Sequence, residues 1–129
     1  MQAQIEAVVG MMKKVLIFAA VAEVATGLAL LIVPSFVGQL LLGAELAGVA
    51  IPVARVTGIA LVALGLACWP GPPIVGMLVY GIVVTLYLAY LGFSGDFVGV
   101  ILWPAVLLHA ALSILLGRDW WATATAVKQ

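Results

Sequence analysis

Charge is what this chain has least of. Only 8% of its 129 residues are Asp, Glu, Lys or Arg and 67% are hydrophobic, against roughly a quarter charged and half apolar in soluble domains. So little polar surface cannot wrap a water-soluble globule. Five Lys and Arg balance five Asp and Glu, so no excess of one sign draws the chain to nucleic acid or to an acidic partner. The single cysteine, Cys68, excludes an internal disulfide and has no companion thiol for a metal site. The single histidine, His109, excludes a bis-histidine haem within one chain. A P-loop, a dinucleotide fingerprint, a nucleophile elbow, a paired catalytic carboxylate and a zinc cluster are all missing. No catalytic residue or metal ligand is therefore assigned, and a soluble-type enzyme is not expected.

Long apolar runs are what the chain does have. Four of them reach the ~20 residues that cross ~30 Å of hydrocarbon: Val15 to Val33, Leu46 to Trp69, Ile74 to Leu91 and Val98 to Leu116. Pro34-Ser35 stops the first, Pro70-Gly71-Pro72-Pro73 turns the chain after the second, and Gly92 to Asp96 separates the third from the fourth. Links this short make successive helices antiparallel neighbours. The expectation is an all-α, four-transmembrane-helix up-down bundle forming one transmembrane domain over 1–129.

A short helix at the membrane interface is expected over 35–43, with Ser35 as N-cap and Gly43 as C-cap. Ahead of the first span, Ile5, Val8, Val9 and Met12 fall on one face opposite Gln2, Gln4 and Glu6; this suits either a surface-lying amphipathic helix or a frayed tail. Lys13-Lys14 before an apolar run has the outline of a signal peptide. The run is long, however, and Pro34-Ser35-Phe36 offers no small-x-small cleavage pattern, so it is read as a retained span. Lys13 and Lys14 precede the first span while Arg118 and Lys128 follow the last, which puts both termini in the cytoplasm; the outer links then carry only Glu45 and Asp96. Gly43 to Val49 faintly echoes Gly95 to Val100, each followed by a proline, Pro52 or Pro104. Two related hairpins, or two ordinary helix starts, both explain it.

Ionisable groups inside spans cost roughly 2.5–3.5 kcal/mol each, and three are present: Glu23, Arg55 and His109. At 1.5 Å per residue, Glu23 and His109 stand about 13 Å above the cytoplasmic edge and Arg55 and Thr85 about 16 Å above it. The arithmetic predicts one polar layer fed by all four helices, flanked by Tyr80 and Tyr87, with a Glu23–Arg55 ion pair as the cheapest way to hold both charges in oil. Such a pair reads either as a clamp fixing helix register or as a proton or substrate site. His109 reads as a satisfied core histidine, with haem or metal ligation across a homodimer as its alternative. Pro52 and Pro104 are expected to kink their helices just above the layer and leave the carbonyls of Gly48 and Val100 unpaired. The small residues Gly27, Ala54, Gly58 and Gly65 permit close helix contact.

Ala22-Glu23-Val24, with Gly27 one turn later, resembles the membrane-embedded glutamate motif of small multidrug-resistance transporters, also four-helix proteins. The third-helix tyrosine followed by Trp-Ser-Gly in that family has no counterpart here. A longer resemblance runs through Gly27 to Leu31, Leu42-Gly43, Arg55-Val56-Thr57-Gly58, Leu64-Gly65-Leu66 and Leu102 to Val106 with His109. It is similar to a group of uncharacterised bacterial four-helix integral membrane proteins, loosely DoxX-like, and implies an accessory subunit of a quinone-linked complex in the bacterial inner membrane. The expectation is thus a non-catalytic accessory or stabilising subunit. The alternatives are a homo-oligomeric transporter or channel around Glu23, Arg55 and His109, and a haem- or quinone-binding anchor. Expected partners are the lipid bilayer and either a membrane-protein partner or further copies of the chain, with no nucleic acid; no cofactor is expected beyond a bound lipid or quinone.

Overall fold

The computed structural model describes residues 1–127, so Lys128, one of the orientation-setting cations, lies outside them. Among the described residues the chain is all-helical: α1 (Gln2–Ile32), α2 (Pro34–Leu42), α3 (Ala50–Cys68), α4 (Ile74–Ser94) and α5 (Leu102–Ala126), with no strand. All but α2 are long and apolar enough to cross a membrane. α1 ends where Val33 leaves the helical region and Pro34 opens α2 at its first position, where a missing N–H costs nothing. Gly43 at φ 73° and Gly95 at φ 79° close α2 and α4 in the left-handed conformation that glycine takes without penalty. Trp69, extended before Pro70, ends α3.

Several expectations change. α1 begins at Gln2 rather than Val15, so the amphipathic segment is its first half and neither a separate surface helix nor a frayed tail. Ser35 does not cap α2: the N-cap is Val33, and the Ser35 hydroxyl donates to the Leu46 carbonyl at 2.9 Å, tying α2 to the link that follows. Neither Pro52 nor Pro104 interrupts a helix, because α3 starts at Ala50 and α5 at Leu102, which places both prolines in a first turn. The Gly48 carbonyl accepts from Ile51 N at 3.1 Å. The two hairpins that echo in sequence are built alike: a left-handed glycine closes one helix, and a proline stands in the first turn of the next.

The helices form a row rather than a closed bundle. α1 packs on α3, α3 on α4 and α4 on α5, with α2 against α1 and α3; among the described residues α1 approaches neither α4 nor α5, and α3 does not approach α5. Small residues make the joints. A Cβ on Gly58 would stand 2.6 Å from the Gly27 carbonyl oxygen, one on Gly65 2.7 Å from that of Ala20, and one on Gly76 2.5 Å from that of Ala63. Such contacts bring backbones together as in membrane helix pairs. Residues late in α3 meet residues early in α1, so the pair is antiparallel. α3 ends three residues after Gly65, so α1 before about Ile17 runs on past it for roughly 22 Å, with Ile5, Val8 and Met12 at least half exposed.

Because the row is open, the chain buries little. Its surface is 8881 Å², about a third more than the ~6500 Å² expected for a soluble protein of 13.4 kDa. Buried apolar side chains among the described residues reduce to Ala20, Ala54, Ile59, Ala63, Leu78, Val84, Leu91 and Val106 with Pro34 and Pro52, and no polar or charged residue among those described is buried.

Candidate functional site

The α1–α3 joint decides where the two intramembrane charges stand. Gly27 faces Gly58 and Val62, while Gly65 faces Ala20 and Val24, so Glu23 lies level with the stretch from Val62 to Leu66. Arg55 is two helical turns before Val62, which sets the two charges about 10 Å or more apart along the helix axes. The expected ion pair is absent: among the described residues no Lys, Arg or His comes within ion-pair distance of an Asp or Glu. The arithmetic failed because it hung each helix from a membrane edge, whereas the glycine contacts slide α1 along α3 until carbonyls meet Cα atoms. Arg55 is half-buried, and its Nε is enclosed with no hydrogen-bond partner.

At the other end of the expected layer the groups do meet. The rings of Tyr80 and His109 stand edge to face with centroids 5.9 Å apart. Gly81 on the same turn of α4 faces the Ser113 hydroxyl, and Thr85 lies one turn on. Thr85, Ser113 and His109 are nevertheless each bonded to their own helix. Thr85 donates to the Gly81 carbonyl at 2.6 Å, Ser113 to the His109 carbonyl at 2.7 Å, and His109 Nδ1 lies 2.8 Å from the Ala105 carbonyl. A carbonyl only accepts, so Nδ1 carries the hydrogen of this contact. Such back-bonding holds hydroxyls in an apolar interior without linking helices. Among the described residues, Ser35 to Leu46 is the one side-chain hydrogen bond joining different elements. Packing, not polar contact, holds the row.

No group of three or more His, Cys, Asp or Glu among the described residues is placed to hold a metal ion. Pro52, Val53 and Thr57 of α3, Leu88 and Leu91 of α4, and Phe97 line an apolar cleft of about 310 Å³. Arg55 is not in it: Val53 and Thr57 each lie about 200° around α3 from Arg55, at 100° per residue. Sequence reasoning placed Tyr87 as a flank of the layer but missed that it stacks on Tyr90, with centroids 6.5 Å apart and planes at 26°. The i, i+3 spacing of the two tyrosines was the available signal. The chain matches no protein-family profile, no curated protein and no solved structure.

Proposed function

We propose that this chain is a four-span, up-down protein of the bacterial inner membrane, with both termini in the cytoplasm, that serves as a non-catalytic accessory or stabilising subunit of a larger membrane complex. The observation that carries the reading is the open row. Four apolar helices held edge to edge by glycine and alanine leave both broad faces of the row uncovered, with Phe18, Leu86 and Leu107 each more than 60% exposed. Lipid covers such faces, and so do the helices of a larger partner, which gain from shape-matched packing what lipid chains do not supply. The resemblance to DoxX-like four-helix proteins points the same way. Extraction in a mild detergent followed by native mass spectrometry is expected to bring down a second membrane polypeptide at fixed stoichiometry. A lone monomer that remains folded would sink the proposal.

One observation favours a second reading. Among the described residues Glu23 has no cationic partner within ion-pair distance, which leaves an unpaired carboxyl within a span, as in the transporters that Ala22-Glu23-Val24 resembles. On that reading copies of the chain assemble around Glu23 and couple export to proton entry. Glu23→Gln then abolishes a proton-driven flux in proteoliposomes; undiminished flux removes Glu23 from any such site.

A further inference from the structure

We propose that Arg55, walled by Tyr87 and Tyr90, binds the phosphate of an anionic phospholipid in the leaflet at the Ala50 end of the helix row. Arg55 stands five residues inside α3, about 8 Å below its first turn. Helical side chains lean toward the N-terminus of their own helix, so the guanidinium leans toward the nearer membrane surface. A long arginine at this depth lays its stem along apolar helix and lifts its head to the phosphates.

The guanidinium is unspent. Its Nε is enclosed without an acceptor, and no carboxylate among the described residues lies within ion-pair distance. Nε is closed to an outside anion as well, so the two terminal nitrogens, which are not among the enclosed unpartnered atoms, are the donors left for one. A phosphate oxygen is the strongest acceptor a bilayer offers, and the guanidinium fork suits it bidentately.

The next helix supplies a wall. From the contact of Gly76 with Ala63 and Ala67, the antiparallel register brings Tyr87 level with Pro52 to Val56. Tyr90 lies about 200° around α4 from the cleft-lining Leu88, as Arg55 does around α3 from the cleft-lining Val53. Neither lines the cleft, and both face more toward the other side of the row than Val53 and Leu88 do. Tyr90 is 63% exposed there, an amphipathic ring near the end of its helix, where headgroups are met. Arg55 and Tyr90 thus share a side of the row near the end toward which the arginine leans, and Tyr87 stacks on Tyr90.

The proposal rests on the membrane placement proposed above, and alkaline carbonate extraction tests that placement separately: a chain washed off the membrane refutes the placement, whatever lipid it binds. For a chain that stays in, the purified protein in mild detergent is titrated with phosphatidylglycerol, phosphatidylcholine or inorganic phosphate. Bound lipid is read by native mass spectrometry and stability by the thermal midpoint. Phosphatidylglycerol is expected to remain bound and to raise the midpoint; Arg55→Gln weakens its binding about tenfold, the order of one lost charged hydrogen bond. Arg55→Lys keeps part of the effect, and Tyr90→Leu reduces retention while leaving the lipid-free midpoint in place. Equal retention by wild type and Arg55→Gln overturns the proposal. So does an equal gain from phosphatidylcholine, which removes the need for an anionic lipid, or from inorganic phosphate, which makes the site one for a free anion. Should Arg55→Gln fail to fold, the wild-type titration against the three ligands and the Arg55→Lys and Tyr90→Leu variants decide the question.

Discussion

Gly58→Ala is expected to destabilise the fold by about 1–3 kcal/mol, the usual cost of forcing a methyl into a closed contact, while Gly10→Ala leaves it unchanged or slightly stabilised. Alanine in place of a mid-helix glycine ordinarily helps, by up to about 1 kcal/mol, because it loses less backbone freedom on folding. That gain is available at Gly10, where a Cβ meets nothing within 4 Å. At Gly58 the new carbon would stand 2.6 Å from the Gly27 carbonyl oxygen and 3.1 Å from Leu30 Cβ and Leu31 Cγ. A backbone carbonyl in the middle of a helix cannot swing aside, so α1 must move away from α3, and Ala20 and Ala54 lose their cover with it. The sign therefore reverses between two glycines of the same chain. Reversible unfolding in detergent micelles reads the difference; equal behaviour of the two variants would mean that α1 and α3 do not close on the Gly27–Gly58 contact.

The second large effect is all or none. In a Cys68→Ser background, cysteine at position 4 (Gln4→Cys) is expected to react with a membrane-impermeant maleimide only in inside-out vesicles, and cysteine at position 96 (Asp96→Cys) only in intact spheroplasts. Gln4 is used so that Lys13 and Lys14, whose charges orient the first span, stay in place. Both positions are exposed, so access through the bilayer, not burial in protein, decides labelling. Labelling of both positions from the same side would refute the odd number of crossings, three, expected between them.

Helix content and the helix ends at Pro34, Gly43 and Pro70 were legible in the sequence, and the reasons are local; the starts of α1, α3 and α5 and the end of α5, at Ala126 rather than Leu116, were not. Apolar runs of sufficient length have only the helix available in lipid, where each backbone N–H and C=O must be satisfied within its own segment. Gly43, Pro34 and the Pro70 to Pro73 run mark ends through their own φ preferences. The candidate site was legible only in part. Tyr80, Thr85 and His109 do gather on neighbouring turns of α4 and α5, because the Gly95 turn gives that hairpin a short link and hence a register close to simple counting. Glu23 and Arg55 do not meet, because the link between α1 and α3 contains a whole helix, α2, and constrains register hardly at all. The kinks expected at Pro52 and Pro104 vanished for a related reason: an apolar run shows where a helix can form, but the first turn is set by turn geometry at Gly48 and Gly99, which hydropathy does not see.

What the residues determine unaided is the solvent. With so little charge and four long apolar segments, the cost of exposing these helices to water is met by length and composition, whatever their arrangement. What only tertiary structure decides is which side chains share a level, since that depends on how far one helix slides along another before glycine and alanine let the backbones close. That slide parts Glu23 from Arg55 and leaves an arginine to find its anion outside the chain.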